Sequence, residues 1–250
     1  MEIKKMFEQS NNRSFYASQP GIQDAAVAKS FMTQVFGWMT LAMFVTAVTA
    51  YWFSSSESLM GSLVNVETRG MTPLGWIVML APLGFVLLMS FGFQRLSPAV
   101  LTLLFISFSV LMGMSLSFIL LVYTAASVYK TFAITAAMFG IMAVTGYTTK
   151  TDLTKFGSIM MMGMVGLIVA MMVNFFLHSG TMDYIISVVG VLIFTGLTAY
   201  DVQRLKRIGA GAGEYGEANS RKLSILGALT LYLDFINLFM FLLRFLGDRK

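Results

Sequence analysis

Leu223-Ser-Ile-Leu-Gly-Ala-Leu-Thr-Leu-Tyr-Leu-Asp234-Phe-Ile-Asn237-Leu-Phe-Met-Phe-Leu-Leu-Arg-Phe-Leu246 is apolar at almost every position and carries one carboxylate near its middle. As a helix, 24 residues reach about 36 Å at roughly 1.5 Å per residue, enough to cross a hydrocarbon core of about 30 Å. The stretch is too long for a buried strand and lacks the alternation of a transmembrane barrel, so it reads as a spanning helix. Six further segments pass the same test, at about 32–53, 73–93, 99–123, 129–148, 156–177 and 184–206. The expected architecture is an all-α integral membrane protein with seven transmembrane helices.

Composition agrees. Of 250 residues 57% are hydrophobic and 12% charged, against about 45–50% and about 25% in soluble chains. So few charges cannot cover a water-facing surface, which excludes an ordinary soluble enzyme. With no Cys and one His, disulfides, thiolate nucleophiles, Ser/His/Asp triads and His-rich metal sites drop out. His178 is therefore not expected to bind a metal, and Asn174 is expected to bond a neighbouring helix.

The charges sort by side. Residues 1–31 are polar, mixed in charge and without an apolar core of their own, so they read as a cytoplasmic tail ahead of one membrane domain, 32–250, with no cleavable signal. With the N-terminus inside, Lys4, Lys5, Arg13, Lys29, Arg95, Lys150, Lys155, Arg204, Lys206, Arg207, Arg221 and Lys222 fall on the inner side, 12 of the 17 basic residues. Arg69, Lys130, Arg244, Arg249 and Lys250 fall outside. Basic residues collect on the cytoplasmic face, so the expectation is N-terminus in and C-terminus out. The net charge of +5 is topological and does not point to nucleic acid.

Charged residues within the spans are rare and costly, at least about 2.5–3.5 kcal/mol each at mid-bilayer. Asp234 lies near the middle of the last span, with Asn237 on the same face. Asp201 lies near the inner end of the sixth span, and Arg95 closes the second. All three fall in the inner half of the membrane. Two nearby carboxyls share a proton more readily than both ionise, so one can ionise against Arg95 while the other stays protonated. Two plainer readings compete: Asp201 reaching back to the basic run Arg204–Arg207, and Asp234 making a static bond between helices. Arg244 is expected to snorkel to the outer interface; Asp183 is read as loop-solvated.

Three motif-like features fail on context. Gly211-Ala-Gly213-Glu-Tyr-Gly216 spells G-x-G-x-x-G but follows a basic helix end, with no βαβ unit to cradle a nucleotide. Tyr200-Asp201 and Asp234 suggest an intramembrane aspartyl protease, yet the second Asp lacks Gly-x-Gly-Asp and no proline follows Pro98. A retinal protein needs a lysine in the last span, and none stands between Lys222 and Lys250. No enzyme activity and no cofactor are expected.

Phe36-Gly-Trp-Met-Thr-Leu, Gly196-Leu-Thr-Ala-Tyr-Asp-Val-Gln and Leu229-Thr-Leu-Tyr-Leu-Asp-Phe-Ile-Asn-Leu-Phe carry a likeness to a known group. The chain resembles the Bax inhibitor-1 family, also called the transmembrane Bax inhibitor motif family, and most closely its bacterial members. The resemblance implies six helices around a central seventh, and a pH-sensitive calcium leak governed by two aspartates that match Asp201 and Asp234. It also implies an arginine latch from the second span to the sixth-span aspartate, which Arg95 matches by position. On this reading Ca²⁺ is the permeant ion, bound in passing by Asp201 and Asp234, and H⁺ is the regulator. Asn237 and Tyr200 are the candidates to line the path, and the bacterial likeness implies the plasma (inner) membrane. Two other functions stay open: a non-conducting protein that modulates a membrane protease or stress response through a membrane partner, and a proton-coupled cation exporter.

Overall fold

A computed structural model describes residues 20–65 and 70–250. Most of the 1–31 tail and the basic residues Lys4, Lys5, Arg13 and Arg69 lie outside these described residues. Eight helices account for nearly all of the fold: α1 Pro20–Ser55, α2 Glu57–Leu63, α3 Pro73–Gly92, α4 Pro98–Val122, α5 Ala125–Thr148, α6 Thr154–Leu177, α7 Gly180–Ala210 and α8 Glu217–Leu246. All except α2 are long and apolar enough to cross a membrane.

The helices outrun their apolar stretches. α1 starts well before residue 32, and Ala28 and Phe31 are already buried, so the 31/32 boundary falls inside a packed helix. α7 continues to Ala210 and α8 begins at Glu217. The gap 207–222 left between the last two expected spans thereby shrinks to Gly211–Gly216, and Gly216 supplies the positive φ of 75° that the turn into α8 needs. Between the third and fourth expected spans α5 begins early, at Ala125, because Thr124 caps it by accepting a hydrogen bond from Ser127 N. After α1 come α2 and a short antiparallel pairing of β1 Val64–Asn65 with β2 Gly70–Met71.

α8 is central. It packs on α7, α1, α5 and α4, while α3 leans on α4 and α6 on α7 from outside. The inner circle therefore consists of four helices, with α3 and α6 in a second layer. Small residues let the backbones close up. A Cβ at Gly146 of α5 would meet the backbone of Ala199 in α7, and one at Gly113 of α4 would meet Thr46 and Thr49 of α1. The α8 core is aromatic. Phe235 packs edge-on to Phe132 and Phe139 of α5, and Phe108 of α4 meets Tyr232 at 5.3 Å. Tyr232 is fully buried, and its hydroxyl bonds Thr46 Oγ1 at 2.8 Å.

Both ends of the bundle are tied. At one end residues after α8 lie along the start of α5: Thr124 N donates to Asp248 O, Lys250 N to Val122 O, and Ser127 Oγ to the Asp248 carboxylate. The opposite end holds the α3–α4, α5–α6 and α7–α8 turns.

Candidate functional site

Asp201 and Asp234 are both buried, at 7% and 6% exposure. α7 and α8 run antiparallel, and two close approaches fix their register. Gly227 lies against Leu205, and Gly190 against the Phe241 ring. By that register Asp201 stands opposite residues 230–231, about one turn from Asp234. Asp234 lies 17 residues into α8, about 25 Å along it, rather than the eleven residues that hydropathy suggests. The excess is accommodated because the first turn of α8 projects past the end of α7.

Side chains bridge the remaining offset. The two carboxyls lie close enough across the α7–α8 seam to feel each other's charge. A carboxylate has no donor, so a hydrogen bond between two such groups would need one proton held by the pair. Counted as an anion, Asp234 leaves Oδ2 buried without a hydrogen-bond partner. Leaving such a charge unmatched is expensive in a packed apolar interior, and a shared proton relieves it.

The other candidates lie elsewhere. Arg95 is exposed in the turn after α3 and takes part in none of the ion pairs among the described residues. The cation beside Asp201 is Arg204, one turn along α7, with Nη1 3.9 Å from Oδ1. Asp201 thus combines two sequence readings: it comes near the second aspartate and reaches back toward the basic run. The Tyr200 ring covers Gly157 of α6 and faces away from the pair. Asn237 Nδ2 donates to Leu233 O of its own helix, which satisfies that donor locally.

Three expectations at the opposite end change. Asn174 does not bond a neighbouring helix; its Oδ1 accepts from Ser179 N in the α6–α7 turn, because that turn leaves donors uncovered. Arg244 and Asp183 are more than interfacial side chains, since they pair at 3.3 Å and join α8 to α7. His178 ends α6 in the left-handed conformation, φ 51°.

Sequence reasoning missed the ties beside the pair. Gln203, two residues past Asp201, is buried. Its Nε2 donates to Thr151 O at 2.7 Å, and its Oε1 accepts from Leu153 N at 2.9 Å. Arg207 Nη2 meets Asp152 Oδ1 at 3.1 Å, and Lys206 Nζ donates to Tyr147 O while lying 4.6 Å from that ring centre. The hydroxyl and backbone N–H of Thr154, then the Arg207 guanidinium, hold the Asp152 carboxyl below the ordinary carboxylate range. On the other side Lys222 of α8 donates to Phe93 O in the turn after α3. In this structure Lys222, one turn into α8, is therefore the cation that fastens the end of α3 to the centre. Gln203 was visible as the last residue of the Gly196–Gln203 motif, but its partners are backbone atoms of a distant turn.

Residues 28–250 match the family described as "Inhibitor of apoptosis-promoting Bax1". The chain is 44% identical to the inner membrane protein YbhL of Escherichia coli over 236 residues, covering 94% of this chain and 99% of that one. The chain belongs to the Bax inhibitor-1 family. Relatives of similar span are the uncharacterized protein RP147 of Rickettsia prowazekii, 42% identical over 89% of this chain and 91% of its own, and an uncharacterized protein of Caulobacter vibrioides, 40% identical over 98% of both. In this Bax inhibitor-1 family member the motif-bearing helices α7 and α8 are the two most buried spans, at 61% and 67% of their most apolar stretches. Two of the three motif stretches, those on α7 and α8, therefore lie in the packed centre, and the third is on α1 beside it.

Proposed function

We propose that this protein is a pH-sensitive leak for cations, Ca²⁺ above all, in the bacterial inner membrane, with the Asp201–Asp234 pair as its gate. The location follows the name of the Escherichia coli relative, and the orientation, N-terminus inside, follows the basic-residue distribution. The observation that carries the reading is two buried carboxyls brought near each other on adjacent central helices, one with an oxygen that no protein group satisfies. Intramembrane carboxylates of this kind mark ion and proton pathways.

With one shared proton, the pair bonds α7 to α8 and the centre stays closed. Loss of that proton at higher pH sets two negative charges side by side, and their repulsion drives the helices apart and presents hard oxygen ligands to a passing cation. Ca²⁺ takes about 6–8 oxygens, so two carboxyls suit transit rather than tight holding. Arg204 is the cation placed to steady Asp201 in this structure. A latch from Arg95 belongs to a state in which the α3–α4 turn has moved inward. The Gln203, Lys206 and Arg207 ties hold the mouth on one side, and Lys222 on the other.

Purified protein in liposomes loaded with a Ca²⁺ indicator tests the reading. The expected result is passive flux down the gradient that rises with pH. Uphill movement driven by a pH gradient would instead establish a proton-coupled exporter. No flux at any pH, with a stable membrane partner recovered by crosslinking, would establish the non-conducting role.

A further inference from the structure

Beside the gate, at the end of the bundle that holds the α5–α6 turn, a recess of about 330 Å³ opens between α1, α7 and that turn. Its rim carries Lys150, Lys206 and Arg207, with Thr149 and the carboxylate of Asp152, and Ala28 of α1 closes the far wall. Three cations against one anion leave the recess net positive by two.

These cations are only partly used. Lys150 is exposed and makes no ion pair among the described residues. An ammonium has three donors, and Lys206 spends one on Tyr147 O. Arg207 bonds Asp152, Thr154 and Gln203 through Nη2 alone, so Nη1 and Nε of its guanidinium have no such bonds. Gln203 and the Tyr147 carbonyl fix Arg207 and Lys206 in place, so the donors are positioned before any ligand arrives. Two ammonium groups and a planar fork around one recess match a tetrahedral oxyanion, whose several oxygens each take a separate donor. The recess also sits where α5 ends at Thr148 and α7 turns basic. Immediately along α5 lie Val144 and Ile141, 64% and 65% exposed, an apolar surface for acyl chains below a headgroup.

We propose that this recess is a binding site for a phosphate group, presented either by an anionic phospholipid headgroup or by a soluble phosphate. The site is separate from the Asp201–Asp234 pair and does not depend on ion conduction. Asp152 acts as an internal competitor, occupying one edge of Arg207. Its replacement by Asn leaves an amide oxygen that can still accept from the Thr154 N–H and hydroxyl, and removes the charge that occupies Arg207.

Native mass spectrometry of the purified protein, titrated with phosphatidylglycerol, phosphatidylcholine and inorganic phosphate in separate arms, tests this. Phosphatidylglycerol is expected to be retained over phosphatidylcholine. The double variant Lys150→Gln/Lys206→Gln should hold it about twenty-five-fold more weakly, from the roughly fivefold that each basic residue contributes near an anionic surface. Lys130→Gln, at the other end of the bundle, should bind as the wild type does. Asp152→Asn should bind about fivefold more tightly, a gain that a misfolded protein does not show. If inorganic phosphate instead saturates the site with the same dependence on these variants while the lipid does not, the phosphate site stands and its source is soluble. Equal retention of the two lipids with no phosphate bound overturns the proposal, as does binding that is unchanged in both the double variant and Asp152→Asn.

Discussion

α6 and α8 are both spanning helices, of 24 and 30 residues, yet 6% of the most apolar stretch of α6 is buried against 67% of that of α8. α6 is the plainer of the two: Met-rich, without a charge between Lys155 and its end, and with Gly157 and Leu167 as its buried residues. α8 carries Asp234, Tyr232 and Asn237 and lies at the centre. In water the most apolar helix would go inside. In lipid the order reverses, because hydrocarbon accommodates Met, Ile and Val as well as a protein core does, whereas a carboxyl, a phenol or an amide needs protein partners. Hydropathy finds the spans, and it is departure from hydropathy that finds the centre.

The largest effect that separates the two helices is in packing. Leu238→Ala in α8, at a position with no exposure, should lower stability in detergent by about 2–3 kcal/mol through the cavity it leaves. Ile168→Ala in α6, 45% exposed, should cost less than about 0.5 kcal/mol. Thermal melts of the two side by side would break the comparison if α6 proved the more sensitive. A smaller effect comes from Tyr232→Phe, which removes the bond to Thr46 and should cost about 1 kcal/mol. Chemical unfolding of Thr46→Val in parallel, and of the double variant, should show the losses to be non-additive.

The smallest effect sharpens the contrast between the two acidic groups bonded through α7. Thr154 and Arg207 lower the folded-state pKa of Asp152. The stability it contributes is therefore complete above the unfolded carboxylate value of about 3.9 and is lost only as pH falls through the lower, folded value. Across neutral pH Asp152 stays an anion. Asp152→Asn should accordingly leave the pH midpoint of Ca²⁺ flux where it is, to within about 0.2 units. A shifted midpoint would place part of the pH sensing in the α5–α6 turn rather than in the buried pair.

The seven spans were legible because each is an apolar run of membrane length. Their ends were not. α7 and α8 carry on as helices through Lys206, Arg207, Arg221 and Lys222, where hydropathy has already stopped but helix propensity has not. The two aspartates stood out by their cost in lipid. That they come near each other depends on the α7–α8 register, set by Gly227 against Leu205 and Gly190 against Phe241, and no single stretch of sequence encodes a register between helices. The neighbouring cation shows the same limit. Position along the chain singles out Arg95, whereas an i, i+3 relation on one helix places Arg204 beside Asp201. Gln203 and Lys222 bond backbone carbonyls and amides of remote turns, which leave no side-chain signature to read.

The central claim is that a proton shared by Asp201 and Asp234 controls the path. Ca²⁺ flux into liposomes, measured from pH 5 to 9 for wild type and Asp234→Asn, tests it most directly. Asn bonds the neighbouring carboxylate through its amide N–H and cannot lose a proton in this range, so the variant should lose the rise in flux with pH that the wild type shows. The same rise at the same midpoint in both proteins would contradict the account.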